Sequence, residues 1–416
     1  MEKRKVLTPA AIDRLNSGHL ADPQTPGLVI EVLPSGKKRW QYRRRICLLK
    51  TEVKMRLGLF PAHSIAAART WASELNEKVE AGIDPREANR KERARAEMTV
   101  SKAHELYMLA VREGRSSRAK RRNKPRTIAD KIAIFERDIA PQLGARVIYD
   151  VTETNLIRLV EQKGKVAKIR ANRLAAELKV FFGWAASLRG LEVGLDVDPS
   201  RRLGDLRFPE VERSRKLTMQ ELEWFLRALV DEERDYRRGM LLWLLTAARI
   251  SEVVRAHRDE VVEGVWRIPS ARVKNSVEHT IALGPWGRHL MRTNGDWIFP
   301  APKGEGPRVC GWYPARDRVR KRMEILAGRP IEQFTPHDFR RTARSNTKRL
   351  KIDYETAEAM LNHVKKGLER TYDQYDLEAE KQAWFLAWEE EIGSVARKVG
   401  VAEILEVPST AVTTTL

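Results

Sequence analysis

The stretch FTPHDFRRTARSN, Phe334 to Asn346, constrains this chain more than any other. Thr335 and Asp338 form a capping-box pair, and Pro336 takes the first helical position, so a helix starts here. His337 falls in its first turn, where backbone N–H groups are unpaired and point outward. Arg340 lies three residues on and shares a face with His337. A helix N-terminus, an imidazole and a guanidinium fork together make a seat for a phosphate. Downstream, LNHVKKGLERTYDQYD carries His363 and Tyr372, separated by a connection with Lys365, Lys366 and Gly367. Tyrosine is a poor nucleophile unless a base or a cationic pocket activates it. A basic helix pair with a core tyrosine would account for any one of these residues alone. Their combination points to chemistry on a phosphate.

Charge agrees with that direction. The chain has 416 residues, enough for two to three domains, and a net charge of +21. Such a balance calls for a polyanion, most often nucleic acid. An acidic membrane surface is the rival. No apolar run approaches the ~20 residues that span a bilayer. Met240 to Ala248 reads as a buried helix. The basic start, Met1 to Val6, is followed by no long apolar core, so no secretory signal is expected. Cys47 and Cys310 give neither a disulfide framework nor a zinc spacing. A reducing cytoplasm fits, and no acidic cluster has metal-ligand spacing, so no metal is expected.

Residues 1–90 read as a first unit. Thr8 caps a short helix, Pro9 to Leu15. Runs at Leu28 to Leu33, Arg39 to Arg45 and Val53 to Leu57 alternate as strands of a small antiparallel sheet. Ser64 caps a helix that ends near Gly82. Lys37, Lys38, Arg39, Arg43, Arg44 and Arg45, interleaved with Trp40 and Tyr42, make this sheet a candidate DNA-contacting surface; a solvated basic face is the alternative. Residues 91–98 are a charged linker within a stretch that reads as helix or extended chain. Residues 99–200 look all-helical, with a helix over Val100 to Arg112, a capping box at Thr127 and Asp130, a helix from Thr152 and another over Ala167 to Arg189. The basic run between the first helix and Thr127, including Arg121, Arg122 and Lys124, is either a DNA-contacting or a solvated loop. Residues 201–214 are a second linker. Thr218 and Glu221 cap the start of the last domain, 215–392, whose final helix is expected to end near Ile392. Residues 393–416 are a tail.

His-x-x-Arg behind a Thr-Pro cap, then Leu-Asn-His, then a tyrosine nine positions after that histidine, resembles the tyrosine recombinase (phage integrase) family. LLWLLTAARISEVV, with Arg249 and Glu252, resembles that family's first arginine box. PGLVIEVLPSGKKRWQYRRR, LGLFPAHSIAAARTWA and GIDP resemble the arm-binding domain of many integrases. The resemblance implies an α+β multidomain protein. It would have a small α/β arm-binding domain, an all-helical, SAM-like core-binding domain, and a mainly helical catalytic domain with a small antiparallel sheet.

Site roles follow from the same resemblance. Arg249 and Arg340 clamp the scissile phosphate, and Glu252 orients Arg249. His337 is the candidate base, and His363 bonds a non-bridging oxygen. Lys274, on a hairpin connection between Val265 to Pro269 and Thr280 to Leu283, matches the proton donor better than Arg272 does. Tyr372 is the nucleophile, chosen over Tyr354 and Tyr375 by its distance from His363. His279 reads as packing or a phosphate contact. The covalent phosphotyrosine stores the energy of the broken bond, so no metal ion or other cofactor is implied. The expected function is site-specific DNA recombination at double-stranded attachment sites by a homotetramer, aided by bending or directionality factors, in the bacterial cytoplasm on the nucleoid. A type IB topoisomerase-like enzyme and a non-cleaving DNA-binding regulator are the alternatives.

Overall fold

Thr8 and Ser64 each turn a side-chain oxygen onto a main-chain N–H three residues on, and so start the two helices that frame the first sheet. The computed structural model describes residues 7–46, 50–117, 122–363 and 377–408. The chain divides into two compact units, Met1–Val211 and Glu212–Leu416.

The first unit opens with α1 (Pro9–Asp13), four antiparallel strands and α2 (Ile65–Glu80). The strands are β1 (His19–Ala21), β2 (Leu28–Val32), β3 (Lys38–Ile46) and β4 (Thr51–Phe60), paired in that order. Sequence reading gave three strands; the additional β1 is too short to show an alternation. Trp40 and Tyr42 are fully buried with Leu28, Ile30, Ala68 and Ala72. They are core residues, not members of a DNA-facing row, because every second side chain of β3 points at α2. Asp84 caps α3 (Pro85–Ala96), so the charged stretch beyond it is helical.

A separate core follows in the same unit. It is built by α4 (Val100–Glu113), α5 (Pro125–Ile134), a π-helical turn (Phe135–Ile139), α6 (Ala140–Leu143), α7 (Glu153–Val166) and α8 (Lys168–Ala185). The capping box expected at Thr127 and Asp130 does not form. Pro125 at the first position starts α5 earlier, behind Lys124, and Thr127 lies inside the helix. Residues 201–208 pack onto this bundle: Leu203 is buried, and Asn172 exchanges two 2.9 Å hydrogen bonds with the Phe208 backbone.

The second unit is mainly helical. Its helices are α9 (Met219–Leu229), α10 (Arg234–Thr246), α11 (Ile250–Val253), α12 (Pro285–Leu290), α13 (Trp312–Ala327), α14 (Pro336–Asn346), α15 (Tyr354–Ala359) and α16 (Glu378–Lys398). A three-stranded antiparallel sheet, β5 (Val261–Val262), β6 (Val265–Ile268) and β7 (His279–Ala282), lies between α11 and α12 in the chain. Trp243, Trp266, Trp286, Trp384 and Trp388 are buried in one apolar core. Two polar contacts fix α16 in it. Trp388 donates its indole N–H to the Leu244 carbonyl at 2.8 Å. The Glu389 carboxylate accepts the N–H groups of Gly284, Trp286 and Gly287, at the start of α12. α16 runs past Ile392 to Lys398 because Val395 and Ala396 continue its apolar face. Leu405 is also buried, and its carbonyl accepts the Trp286 indole N–H, so the chain as far as Val407 packs on this unit.

Candidate active site

The site is assembled from the ends of helices. α10 finishes with Ala247 in a left-handed conformation, φ 51°. That reversal places Arg249 ahead of α11, where Glu252 reaches back to it. Glu252 accepts the Arg249 backbone N–H at 2.7 Å and its Nη1 at 2.9 Å. Glu252 is buried, whereas about a quarter of the Arg249 side chain is exposed. One charged carboxylate thus fixes both the main chain and the guanidinium of Arg249.

α14 starts where the sequence placed it. The Asp338 carboxylate accepts the Thr335 N–H at 2.8 Å and the Thr335 hydroxyl at 3.0 Å. This cap sets the direction of Arg340, which is almost wholly buried. Arg340 donates Nη1 to the Ala247 carbonyl and Nη2 to the Leu361 carbonyl, the latter at 2.6 Å. It therefore joins the chain just before Arg249 to the chain just before His363. Burial, and then the positive charge of Arg249, push its pKa down to about 10, so it remains a cation at neutral pH.

His337 lies at the exposed first turn of α14. Partial burial, and then the charges of Arg341 and Arg340, hold its pKa below the usual histidine value. Asp338 acts in the opposite sense, and Arg249 adds to the lowering, so three arginines act together on this one ring. Such a cluster holds positive charge at a cost that an arriving anion offsets.

His363 follows Asn362, whose φ is 50°. Its Nδ1–H donates to Glu358 at 2.6 Å, which fixes the ring and leaves Nε2 as the nitrogen without that proton. Glu358 also accepts Arg344 Nε at 3.0 Å. The sequence reading missed Glu358. Its five-residue spacing from His363 fits no helical face and depends on the left-handed turn at Asn362.

Lys274 is exposed on the β6–β7 connection. Arg272 is committed elsewhere: it donates to the Glu260 carboxylate and to the Glu252 carbonyl. His279 is buried and donates Nε2–H to the Met360 carbonyl at 3.1 Å, while its Nδ1 is buried without a partner. Desolvation, and then Arg340, push its pKa down to about 3, so its ring is neutral. Tyr372 and Tyr375 lie outside the described residues. Tyr354 is 71% exposed, with the Arg344 guanidinium over its ring.

In the first unit, alternate side chains of β3 diverge. Arg39, Arg43 and Arg45 share the face away from α2, where Arg39 pairs with Glu31 and Arg43 with Glu52. Arg44 points the other way, to Asn76 and Glu80. Lys37 lies in the β2–β3 turn, and Lys38 donates to the Asp13 carbonyl at 2.9 Å. Arg122 is exposed, Lys124 precedes α5, and Arg121 lies outside the described residues.

Two family models match the chain: the Arm DNA-binding domain over residues 3–92 and the Phage integrase family over residues 215–378. Prophage integrase IntZ of Escherichia coli K12 is 25% identical over 402 residues, covering 90% of this chain and 92% of its own length. Prophage integrase IntA of the same strain is 26% identical over 290 residues, covering 66% and 68%. Among solved structures, a lambda integrase dimer bound to a COC′ core site has a TM-score of 0.52 at 17% identity, covering 84% of this chain and 95% of that one. A lambda integrase tetramer bound to a Holliday junction has a TM-score of 0.52 at 18% identity, covering 84% and 98%. These two share the fold. The chain belongs to the phage integrase family of tyrosine recombinases, in the arrangement that carries an amino-terminal arm DNA-binding domain. Its activity is that of a tyrosine-type site-specific DNA recombinase.

Proposed function

We propose that this enzyme integrates and excises a prophage or genomic island by cutting DNA through Tyr372. The Tyr372 hydroxyl attacks the scissile phosphorus, and the bond to the 5′ oxygen breaks as the 3′-phosphotyrosyl bond forms. His337 takes the tyrosine proton. Its lowered pKa keeps it neutral, and so able to accept, at neutral pH. Arg249 and Arg340 stabilise the charge that grows on the equatorial oxygens, and His363 bonds one of them. Lys274 gives a proton to the departing 5′ oxygen. The single observation carrying this reading is the pair of hydrogen bonds from Arg340 to the Ala247 and Leu361 carbonyls, which draws the Arg249 and His363 segments to one buried cation.

Residues 1–90 are assigned to outlying arm sites, with Lys37, Lys38, Arg39, Arg43 and Arg45 as contacts. Residues 99–200 are assigned to the core site, with Arg121, Arg122 and Lys124 as contacts, and residues 215–392 to catalysis. Four protomers holding two duplexes complete the reading, since a lambda integrase of the same fold was solved as a tetramer on a Holliday junction. Bending or directionality factors, and a place on the nucleoid in the cytoplasm, belong to the same proposal.

A nicked suicide duplex carrying the attachment site tests it. The expected result is a protein–DNA adduct that survives denaturant and is absent in Tyr372→Phe. An undiminished adduct in that variant rejects the nucleophile. Relaxation of supercoils with no two-site product favours a topoisomerase-like activity instead.

A further inference from the structure

Three consecutive carbonyls ahead of His363 each accept a side chain from a different part of the catalytic unit. His279 of β7 donates to Met360 at 3.1 Å, Arg340 of α14 to Leu361 at 2.6 Å, and Asn275 of the β6–β7 connection to Asn362 at 2.6 Å. Asn362 returns the last contact: its Nδ2 donates to the Val277 carbonyl at 3.0 Å. The two asparagines thus tie the connection and the turn together in both directions. Asn362 has φ 50°, a conformation that glycine and asparagine reach most readily. Glycine would satisfy the turn but has no group to offer Val277.

The connection needs such a joint. Val273 is buried at its start and His279 at its end, but Lys274, Ser276, Val277 and Glu278 between them are exposed. A segment with so little apolar burial has a low opening cost of its own. Lys274 is adjacent to Asn275, and His363 is adjacent to Asn362.

We propose that Asn275 and Asn362 are positioning residues that hold the Lys274 loop against the His363 turn, so that proton delivery to the leaving 5′ oxygen and contact with the phosphate are set by one joint. This rests on Lys274 being the proton donor in the function proposed above. A proton donor acts only within hydrogen-bond reach of the atom it serves. Neither asparagine needs to touch DNA.

The test compares single-turnover cleavage by the full chain on two suicide duplexes. One has the natural 5′ bridging oxygen and the other has sulfur at that position. A thiolate leaves without needing a proton, because a thiol ionises near pKa ~8.5. Lys274→Ala should lose about 100-fold or more on the oxygen substrate and regain near-normal cleavage on sulfur. Asn362→Gly, which keeps the turn, and Asn275→Ala should each lose about tenfold on oxygen and less than about twofold on sulfur, as a displaced proton donor would. Thermal unfolding and DNA affinity are followed alongside. If one variant fails to fold, the other carries the test.

Equal losses on both substrates, or no loss on oxygen, in the asparagine variants while Lys274→Ala is rescued by sulfur overturn the positioning role alone. Lys274→Ala left unrescued by sulfur removes the proton-donor assignment and this proposal with it.

Discussion

The Arg340 guanidinium lies 2.6 Å from the Leu361 carbonyl, and the same fork reaches the Ala247 carbonyl. A buried arginine therefore spends two donors on main chain before any substrate arrives. Its planar geometry serves both directions at once, which a lysine ammonium on a single stem does not. Arg340→Lys should keep the charge yet leave one buried carbonyl unpaired, at a cost of about 1–3 kcal/mol. Thermal unfolding should shift down by several degrees, and adduct formation should be lost. A variant that melts with the wild type would show that the double contact is not structural.

Lys274 and Arg272, two residues apart, should separate by experiment. Arg272→Ala leaves the Glu260 carboxylate without its arginine and should destabilise by about 1–3 kcal/mol, less than a fully buried pair because part of Arg272 stays in water. Lys274→Ala should unfold like the wild type while cleavage falls. Matching stability losses in the two variants would contradict this division.

His279 links stability to acid. The folded protein protonates it only at about pH 3, whereas the unfolded chain takes that proton near 6.5. Between those values the unfolded state binds more protons, so the contribution of His279 is complete above about pH 6.5 and is lost as pH falls. His279→Gln retains an N–H for Met360 and cannot titrate. Urea unfolding at pH 7 and pH 5 should show wild type losing more stability than His279→Gln. Parallel losses would count against a neutral buried ring.

His337 governs the acid limb of cleavage in the proposed mechanism. Burial and neighbouring cations lower its pKa, so cleavage should persist below the pH at which an ordinary histidine protonates. Arg341→Gln removes one of those cations and should move the limb to higher pH. A limb that stays in place would exclude His337 as the titrating base.

Arg43 and Arg45 are exposed on one face of β3, and Arg44 is bonded on the other. With random-sequence duplex, Arg43→Ala and Arg45→Ala should each reduce the slope of log affinity against log salt by about 1. Arg44→Ala should leave that slope alone and lower the melting temperature. Equal slopes for all three variants would place DNA on another surface.

Much of the candidate site was legible because caps and turns are local. Thr335 with Asp338, Thr218 with Glu221 and Ser64 ahead of α2 are short-range patterns, and each begins a helix where expected. The pairing of Arg249 with Glu252 is equally local. What escaped was long-range. Nothing near Arg340 in the chain announces the Ala247 or Leu361 carbonyls, and nothing near Asn275 announces Asn362. Such contacts depend on how distant segments pack. Thr127 failed for the opposite reason: two local signals competed, and the proline started the helix first. Trp40 and Tyr42 were misplaced because a list of residue types does not state which way a strand faces.

That last point reaches beyond the aromatics. The burial of β3 alternates from Trp40 to Ile46, although its register against β4 shifts between Trp40 and Gln41, so what each arginine does is decided by whether its place in the count is odd or even. Slipping this strand by one residue would turn Trp40 and Tyr42 into water and press Arg43 and Arg45 under α2, with every amino acid of the run unchanged. The run should therefore forgive many exchanges of one residue for another and very few insertions or deletions.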